Sequence, residues 1–232
     1  MGFPEVAGLT VRCRRRRHRT LVHLGFNAKH SMKLYFSPTS PYVRKCLVVA
    51  HELGLVGRIE LLAGNAHPVN RDANIIAANP LGKVPTLICD DGSVLYDSRV
   101  ICEYLDAMGG GALFPRAGSA RWQALTLQAL ADGMLDAALL ARYEDALRPE
   151  ALRWVDWRSG QLDKVATAMV ALEAAPSQLQ GRIDIGTLAL ACALGYLDLR
   201  FADLGWRARY PRVAQWQAGF SQRPSLQASW SL

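Results

Sequence analysis

Hydrophobic and polar positions divide the chain before anything else does. From Met32 a short apolar run over residues 33–36 ends at Ser37-Pro38 and predicts a strand. Ser40 as N-cap and Pro41 in the first turn then open a helix. Its apolar residues Val43, Cys46, Leu47, Ala50 and Leu53 recur at i, i+3, i+4, i+7 and i+10, and Gly54 stops it. Residues 58–62 read as a second strand, and a strand–helix–strand unit of this size closes as a right-handed parallel crossover. An irregular polar stretch leads to Asn79-Pro80-Leu81-Gly82. Two apolar runs, 84–89 and 93–96, then flank Asp90-Asp91-Gly92, the pattern of a hairpin. Asp97 can cap the next helix, where Ile101, Tyr104, Leu105 and Met108 keep helical spacing.

Gly109-Gly110-Gly111 breaks the chain and strand signals vanish beyond it. The expected division is a mixed α/β domain over 32–110, a linker over 111–118 and an all-helical domain over 119–232. Leu127, Leu130, Met134, Ala137, Ala138 and Ala141 recur at helical spacing, and helices are expected over 120–148, 150–174, 185–204 and 211–222. Leu188, Ala191, Cys192, Gly195 and Leu199 form the predicted buried face of the third. Asp184 would cap it, answered by Thr187 as a capping box.

Composition adds limits. A chain of 232 residues, 50% hydrophobic and 20% charged, is long enough to bury one large or two small cores, which excludes disorder and small disulfide scaffolds. Five scattered cysteines, Cys13, Cys46, Cys89, Cys102 and Cys192, suit neither a disulfide framework nor a zinc site and point to a reducing, cytoplasmic compartment. No run of 18 apolar residues occurs, so no membrane-spanning helix is expected.

The net charge of +7 changes the picture less than its size suggests. Residues 1–31 hold 7 of the 27 basic residues and 1 of the 20 acidic ones, leaving 20 basic against 19 acidic residues in the rest. The body is nearly neutral and no nucleic-acid face is implied. The leader lacks a sustained period and is expected to lie outside the fold as a disordered basic segment. A start assigned too far upstream, a targeting segment and a nucleic-acid-binding arm remain open for it.

The order βαβαββα, with a proline opening the third strand and a helical domain behind, resembles the cytosolic glutathione transferase family in its bacterial, serine-type form. The resemblance covers Met32 to Leu232 and rests above all on Asn79-Pro80-Leu81-Gly82-Lys83-Val84-Pro85-Thr86-Leu87 followed by Leu95-Tyr96-Asp97-Ser98. It implies a thioredoxin-like first domain and a glutathione subsite of Lys83, Val84, Pro85, Asp97 and Ser98, with Pro85 in cis. Glutathione would serve as co-substrate, without a metal, and a small electrophile would be the second substrate. A homodimer is implied as well, and neither nucleic acid nor a membrane is expected as a partner. The family more often has Glu where this chain has Asp97.

Chemistry gives the resemblance its sense. An extended tripeptide binds along free strand N–H and C=O groups, here those of Val84. Asp97 and Ser98 at a helix N-terminus suit the ammonium and carboxylate of the γ-glutamyl end. Ser40-Pro41-Tyr42-Val43 resembles a glutaredoxin motif with both cysteines gone, so a hydroxyl is expected to hold the glutathione thiolate. Ser40 is the expected donor, with Ser37, Thr39 and Tyr35 as alternatives. Ser40 also reads as a simple cap, and Arg44 as added positive potential, a solvated residue or an interdomain ion-pair partner. Met134, Leu135, Leu139 and Tyr143 are candidates for the second-substrate wall and equally for core. Activity of the alkyl- or aryl-transferring kind is expected, the alternative being a non-catalytic glutathione-binding protein on the same fold.

Overall fold

The computed structural model describes residues 32–229. The expectations for residues 1–31, Cys13 among them, and for residues 230–232 lie outside the described residues.

The first domain runs β1 (Met32–Phe36), α1 (Pro41–Glu52), β2 (Ile59–Ala63), α2 (Ala73–Ala78), β3 (Thr86–Ile88), β4 (Val94–Leu95) and α3 (Ser98–Met108). Sheet order is β2-β1-β3-β4. Strands β1 and β2 are parallel, with Met32 opposite Ile59 and Phe36 opposite Ala63, whereas β3 is antiparallel to both β1 and β4. Period two sorts β1: Met32 and Leu34 are buried and Lys33 is exposed. Their burial places α1 and α3 against the sheet, with Val43, Cys46, Leu47, Ile101 and Leu105 in the same core. α2 occupies the stretch read as irregular: Asp72 caps it through Asn74 N–H at 2.9 Å and Ile75 is its buried anchor. Six residues are too few to show a helical period, and only the family resemblance implied this helix.

The second domain comprises α4 (Gly118–Ala146), α5 (Val155–Ala174), α6 (Ile185–Arg200), the short α7 (Trp206–Arg209), α8 (Pro211–Phe220) and α9 (Pro224–Ala228). By length and apolar content α4 is long enough to cross a bilayer, yet just over half of that stretch is buried against other elements. Gly186 lets α6 approach α4: a Cβ there would lie 2.6 Å from the Ala124 carbonyl oxygen. This contact joins the second turn of α4 to the first turn of α6, so the two helices run side by side in one direction. The Asp184–Thr187 capping box is present, Asp184 accepting from Gly186 and Thr187 N–H and donating its own N–H to Thr187 Oγ1.

Most element ends shift by a residue or two from expectation, and two helix boundaries shift further. α5 begins at Val155, after a short 3-10 turn over Glu150–Leu152, and α6 ends at Arg200 ahead of another at Ala202–Leu204. Leu199 is 47% exposed and leaves the predicted buried face, because α6 is enclosed all round only through Leu197. Between the domains the chain is pinned: the buried Asp106 carboxylate accepts from Leu113 and Phe114 N–H at 2.7 and 3.2 Å, and the Leu113 carbonyl accepts from Ile185 N–H.

Candidate active site

Strand register brings three segments to one end of the sheet. β1 leads into residues 37–40; Tyr35 lies opposite Thr86, so residues 83–85 arrive beside that exit; Leu87 lies opposite Leu95, which carries Tyr96 and Asp97 to the same end. The hydrophobic pattern of three short strands thereby positions all the predicted polar groups.

Ser40 caps α1. Its Oγ accepts from Val43 N–H at 3.3 Å, its N–H donates to the Ser37 carbonyl at 3.0 Å and its carbonyl accepts from Arg44 N–H. Accepting a bond leaves the hydroxyl proton available to donate elsewhere. Thr39 is exposed and Ser37 half-buried in the same loop. Tyr35 sits on the opposite sheet face from Leu34, its ring beside Gly64 and the Ile75 side chain nearby. The loop meets α6 across a crevice of about 10 Å3, the room of one water, lined by Ser40, Arg44, Cys192, Tyr196 and Leu199 among others. Arg44 is not solvated. It is buried, donating to Leu226 O and Ser229 Oγ at 3.2 and 3.1 Å, and burial holds its guanidinium below the usual value against the pull of Cys192 and Asp198.

Residues 83–85 are shaped from beneath by Asn79. Its buried side chain donates to Lys83 O and Thr86 Oγ1 at 3.3 and 2.9 Å, and its Oδ1 accepts from Leu81 N–H at 3.0 Å. Thr86 Oγ1 donates to the same Lys83 carbonyl at 2.8 Å. Gly82 closes the turn at φ 62°, a left-handed geometry suited to glycine. The Val84–Pro85 bond is cis, as expected, and so is Tyr96–Asp97. Val84 lies beyond the β1–β3 ladder, and its N–H and C=O take no partner among the described residues. The Lys83 side chain is exposed and Pro85 is buried. Asp97 caps α3 through Arg99 N–H at 2.9 Å, and the buried Ser98 follows with its carbonyl near Cys46 Sγ.

Sequence reasoning missed the charges that support this end of the sheet. Lys45, 0% exposed, reaches Asp132 Oδ1 at 2.6 Å, and Arg99 reaches Asp132 Oδ2 at 2.9 Å. Burial alone would lower the Lys45 ammonium, but Cys102 and Asp132 outweigh it and hold the group above its ordinary value. Tyr42 donates to Asp136 on α4, and burial together with that bond pushes its hydroxyl far up. One signal was available: Lys45 lies four residues before Val49 and four after Pro41, both buried, and Asp132 lies in the apolar stripe of α4. Opposite charges on two apolar stripes predict a buried pair.

Burial drives the Cys192 thiol up to about 11 and Cys46 higher than usual, so neither is a ready thiolate at neutral pH. Among the described residues no group of three or more His, Cys, Asp or Glu side chains is placed to hold a metal. Met134 and Leu135 belong to the helical core rather than to a cleft wall, whereas Leu139 and Tyr143 are half-buried. A cavity of about 270 Å3 lies apart from this site, among Leu162, Met169, Leu197, Trp206 and Tyr210.

Known proteins carry the same arrangement. Residues 39–108 match the family model described as glutathione S-transferase, N-terminal domain, and residues 155–217 the corresponding C-terminal domain. The GST-like protein YibF of Escherichia coli K12 is 34% identical over 199 residues, 84% of this chain and 96% of its own. A glutathione transferase family member from Pseudomonas fluorescens Pf-5, solved with bound glutathione, is 50% identical with a TM-score of 0.84 over 85% of this chain and 98% of that one. Its structure with bound S-(propanoic acid)-glutathione gives 49% identity and a TM-score of 0.79 over the same shares. With both of its domains matched and its three site segments converging as the fold requires, the chain belongs to the glutathione S-transferase family.

Proposed function

We propose that the protein binds glutathione at the convergent sheet end and activates its thiol for attack on a small electrophile. The observation that carries this reading is the open main chain of Val84, set beside the capped N-termini of α1 and α3. Val84 N–H and C=O pair with the cysteinyl backbone of the tripeptide. The N-terminus of α3 and the Ser98 hydroxyl take the γ-glutamyl carboxylate, while Asp97 faces its ammonium. Lys83 adds positive charge at the entrance, and Ser40 Oγ donates to the sulfur.

The energies suffice. Lowering a thiol pKa by roughly two units from about 8.5 needs about 2.7 kcal/mol of preference for the anion. A hydrogen bond to a charged group supplies about 1.5–3 kcal/mol, and a helix N-terminus about 0.3–2 more. With a halogenated substrate, the S–C bond forms as the C–halogen bond breaks and the halide leaves with the electron pair. The Pseudomonas neighbour's S-(propanoic acid)-glutathione supports a substrate that ends as a thioether on the glutathione sulfur. A homodimer and a cytoplasmic location belong to the same reading; exposed Val100 and Trp122, close in sequence to the Arg121–Glu103 ion pair joining α3 to α4, support the homodimer.

Calorimetry with glutathione and ultraviolet thiolate absorbance against pH test the proposal together. Binding is expected with a thiol pKa below the free value. Ser40→Ala is expected to raise that pKa by roughly one to two units while affinity changes little. If Tyr35→Phe or Ser37→Ala abolishes the thiolate and Ser40→Ala does not, the donor is misassigned. Tight binding with no thiolate in the wild type would leave a glutathione-binding protein without this catalysis.

A further inference from the structure

The cavity of the helical domain belongs to no part of the site described above. It shares no lining residue with the crevice at Ser40. One wall is a stripe of α5, where Leu162, Ala166 and Met169 recur at i, i+4 and i+7 with Asp163 beside them. The facing wall is the turn from α6 into α7 and α8, which carries Leu197, Trp206, Arg209 and Tyr210. Its two rings are held without a ligand: Trp206 Nε1 donates to Asp198 at 2.9 Å, and the Tyr210 hydroxyl donates to the Ala166 carbonyl at 3.4 Å. The site is therefore formed in advance of any guest.

Size and lining set the apolar part of the ligand. An apolar cavity of about 150 Å3 admits benzene, so the 270 Å3 here hold one ring on a short stem. Met169, Leu197, Trp206 and Tyr210 are buried, and a thioether between two aromatic side chains favours an aromatic guest. The mouth sets the charges. Asp163 and Arg209 are exposed and stand on opposite walls. The Arg209 guanidinium lies 5.5 Å from the centroid of the Tyr210 ring, which puts it at the cavity's edge. Exposed charges without an ion pair are ordinary; here an acid and a base border one apolar opening. A plain carboxylate would be drawn to Arg209 and repelled by Asp163, and a plain amine the reverse. A zwitterion answers both.

We infer that this cavity binds a free aromatic α-amino acid, its ring among Met169, Trp206 and Tyr210, its ammonium toward Asp163 and its carboxylate toward Arg209. The site is separate from the convergent sheet end and does not depend on the glutathione-transferase reading.

L-Phenylalanine, phenylacetate and phenethylamine share a ring and differ in charge, so calorimetry on the full chain with all three tests the inference. L-Phenylalanine is expected to bind roughly tenfold or more tightly than either of the others, the scale of a charge-assisted contact. The methyl resonance of Met169, assigned through Met169→Leu, is expected to shift as the ring enters. Asp163→Asn is expected to bring L-phenylalanine down to the level of phenylacetate, and Arg209→Gln down to that of phenethylamine. Ala166→Leu fills the cavity yet keeps the carbonyl that Tyr210 uses, and is expected to abolish binding of all three. Saturating glutathione is expected to leave the affinity for L-phenylalanine unchanged. Absence of L-phenylalanine binding, equal binding of the three, a preference that survives both rim variants, or displacement by glutathione would each overturn the inference.

Discussion

One oxygen of the Asp97 carboxylate caps α3 through Arg99 N–H, and the capping role and the proposed ammonium contact can be separated by chemistry. Asparagine caps as well as aspartate but carries no charge. Asp97→Asn is therefore expected to keep the melting temperature and to weaken glutathione by about 1.5–3 kcal/mol, tenfold or more. Asp97→Ala is expected to lose that affinity and about 1 kcal/mol of stability besides. Calorimetry and thermal melts on both variants decide it: full affinity in Asp97→Asn would reduce Asp97 to a cap. At this scale the sequence was informative where a residue has a local signature. Ser40 before Pro41, Asp97 before a helical period and Asp184 three residues before Thr187 all announce N-caps, and all three cap. Asn79 and Thr86 have no such signature, because their role is a clip between loop residues that only the folded turn brings together.

Between elements, ion pairs across the domain boundary hold the site's supports in place. Lys45 on α1, Asp132 on α4 and Arg99 on α3 form a chain in which two side chains are wholly enclosed. Lys45→Met leaves Asp132 with Arg99 as its only charged partner, so the loss, read as a shift in the denaturant midpoint, is expected to stay below the about 3–5 kcal/mol of a fully orphaned buried charge. The double variant Lys45→Met/Asp132→Leu is expected to recover much of that loss, because it removes the buried carboxylate as well. A second clip joins α1 to the C-terminal segment: Glu52 accepts from Arg223 at 2.6 Å and from the Ser225 hydroxyl. Burial would raise the Glu52 carboxyl, but the bonds from Arg223 and Ser225 prevail and lower it. A lowered folded pKa contributes stability present above the unfolded value near 4.5 and lost as pH falls through the folded one. Hydrogen exchange over residues 211–229 is accordingly expected to accelerate below about pH 4.5 in the wild type, and to be fast already at neutral pH in Glu52→Gln. An unchanged acid profile in Glu52→Gln would show that the clip does not anchor this segment. Elements with long periods, α1, α3 and α4, were legible. α2 was too short to show a period, and the ends of α5 and α6 were set by turns and tertiary contacts that periodicity does not encode.

At the scale of the molecule, the folded unit and the charge of the chain are distributed differently. The strand that opens the sheet begins at Met32, which is 0% exposed and pairs with Ile59. The matched domains start at residue 39, and the Pseudomonas neighbour aligns with 98% of its own length on only 85% of this chain. Residues 1–31 meanwhile carry 7 of the 27 basic residues, so the remainder holds 20 basic against 19 acidic. If that division reflects where the folding energy resides, a chain starting at Met32 keeps both cores, the convergent sheet end and the two interdomain clips, since every residue named in them lies after position 31. Its melting temperature and glutathione affinity are expected to match those of the full chain within about 0.5 kcal/mol, the scatter of substitutions remote from any structural feature. What changes is long-range charge: retention on a polyanionic resin at low salt is expected to fall sharply, because the nearly neutral body has little to hold it there. A lower melting temperature or weaker glutathione binding on truncation would assign the leader a place in the fold or at the site. Polyanion retention that survives truncation would place the basic surface on the body.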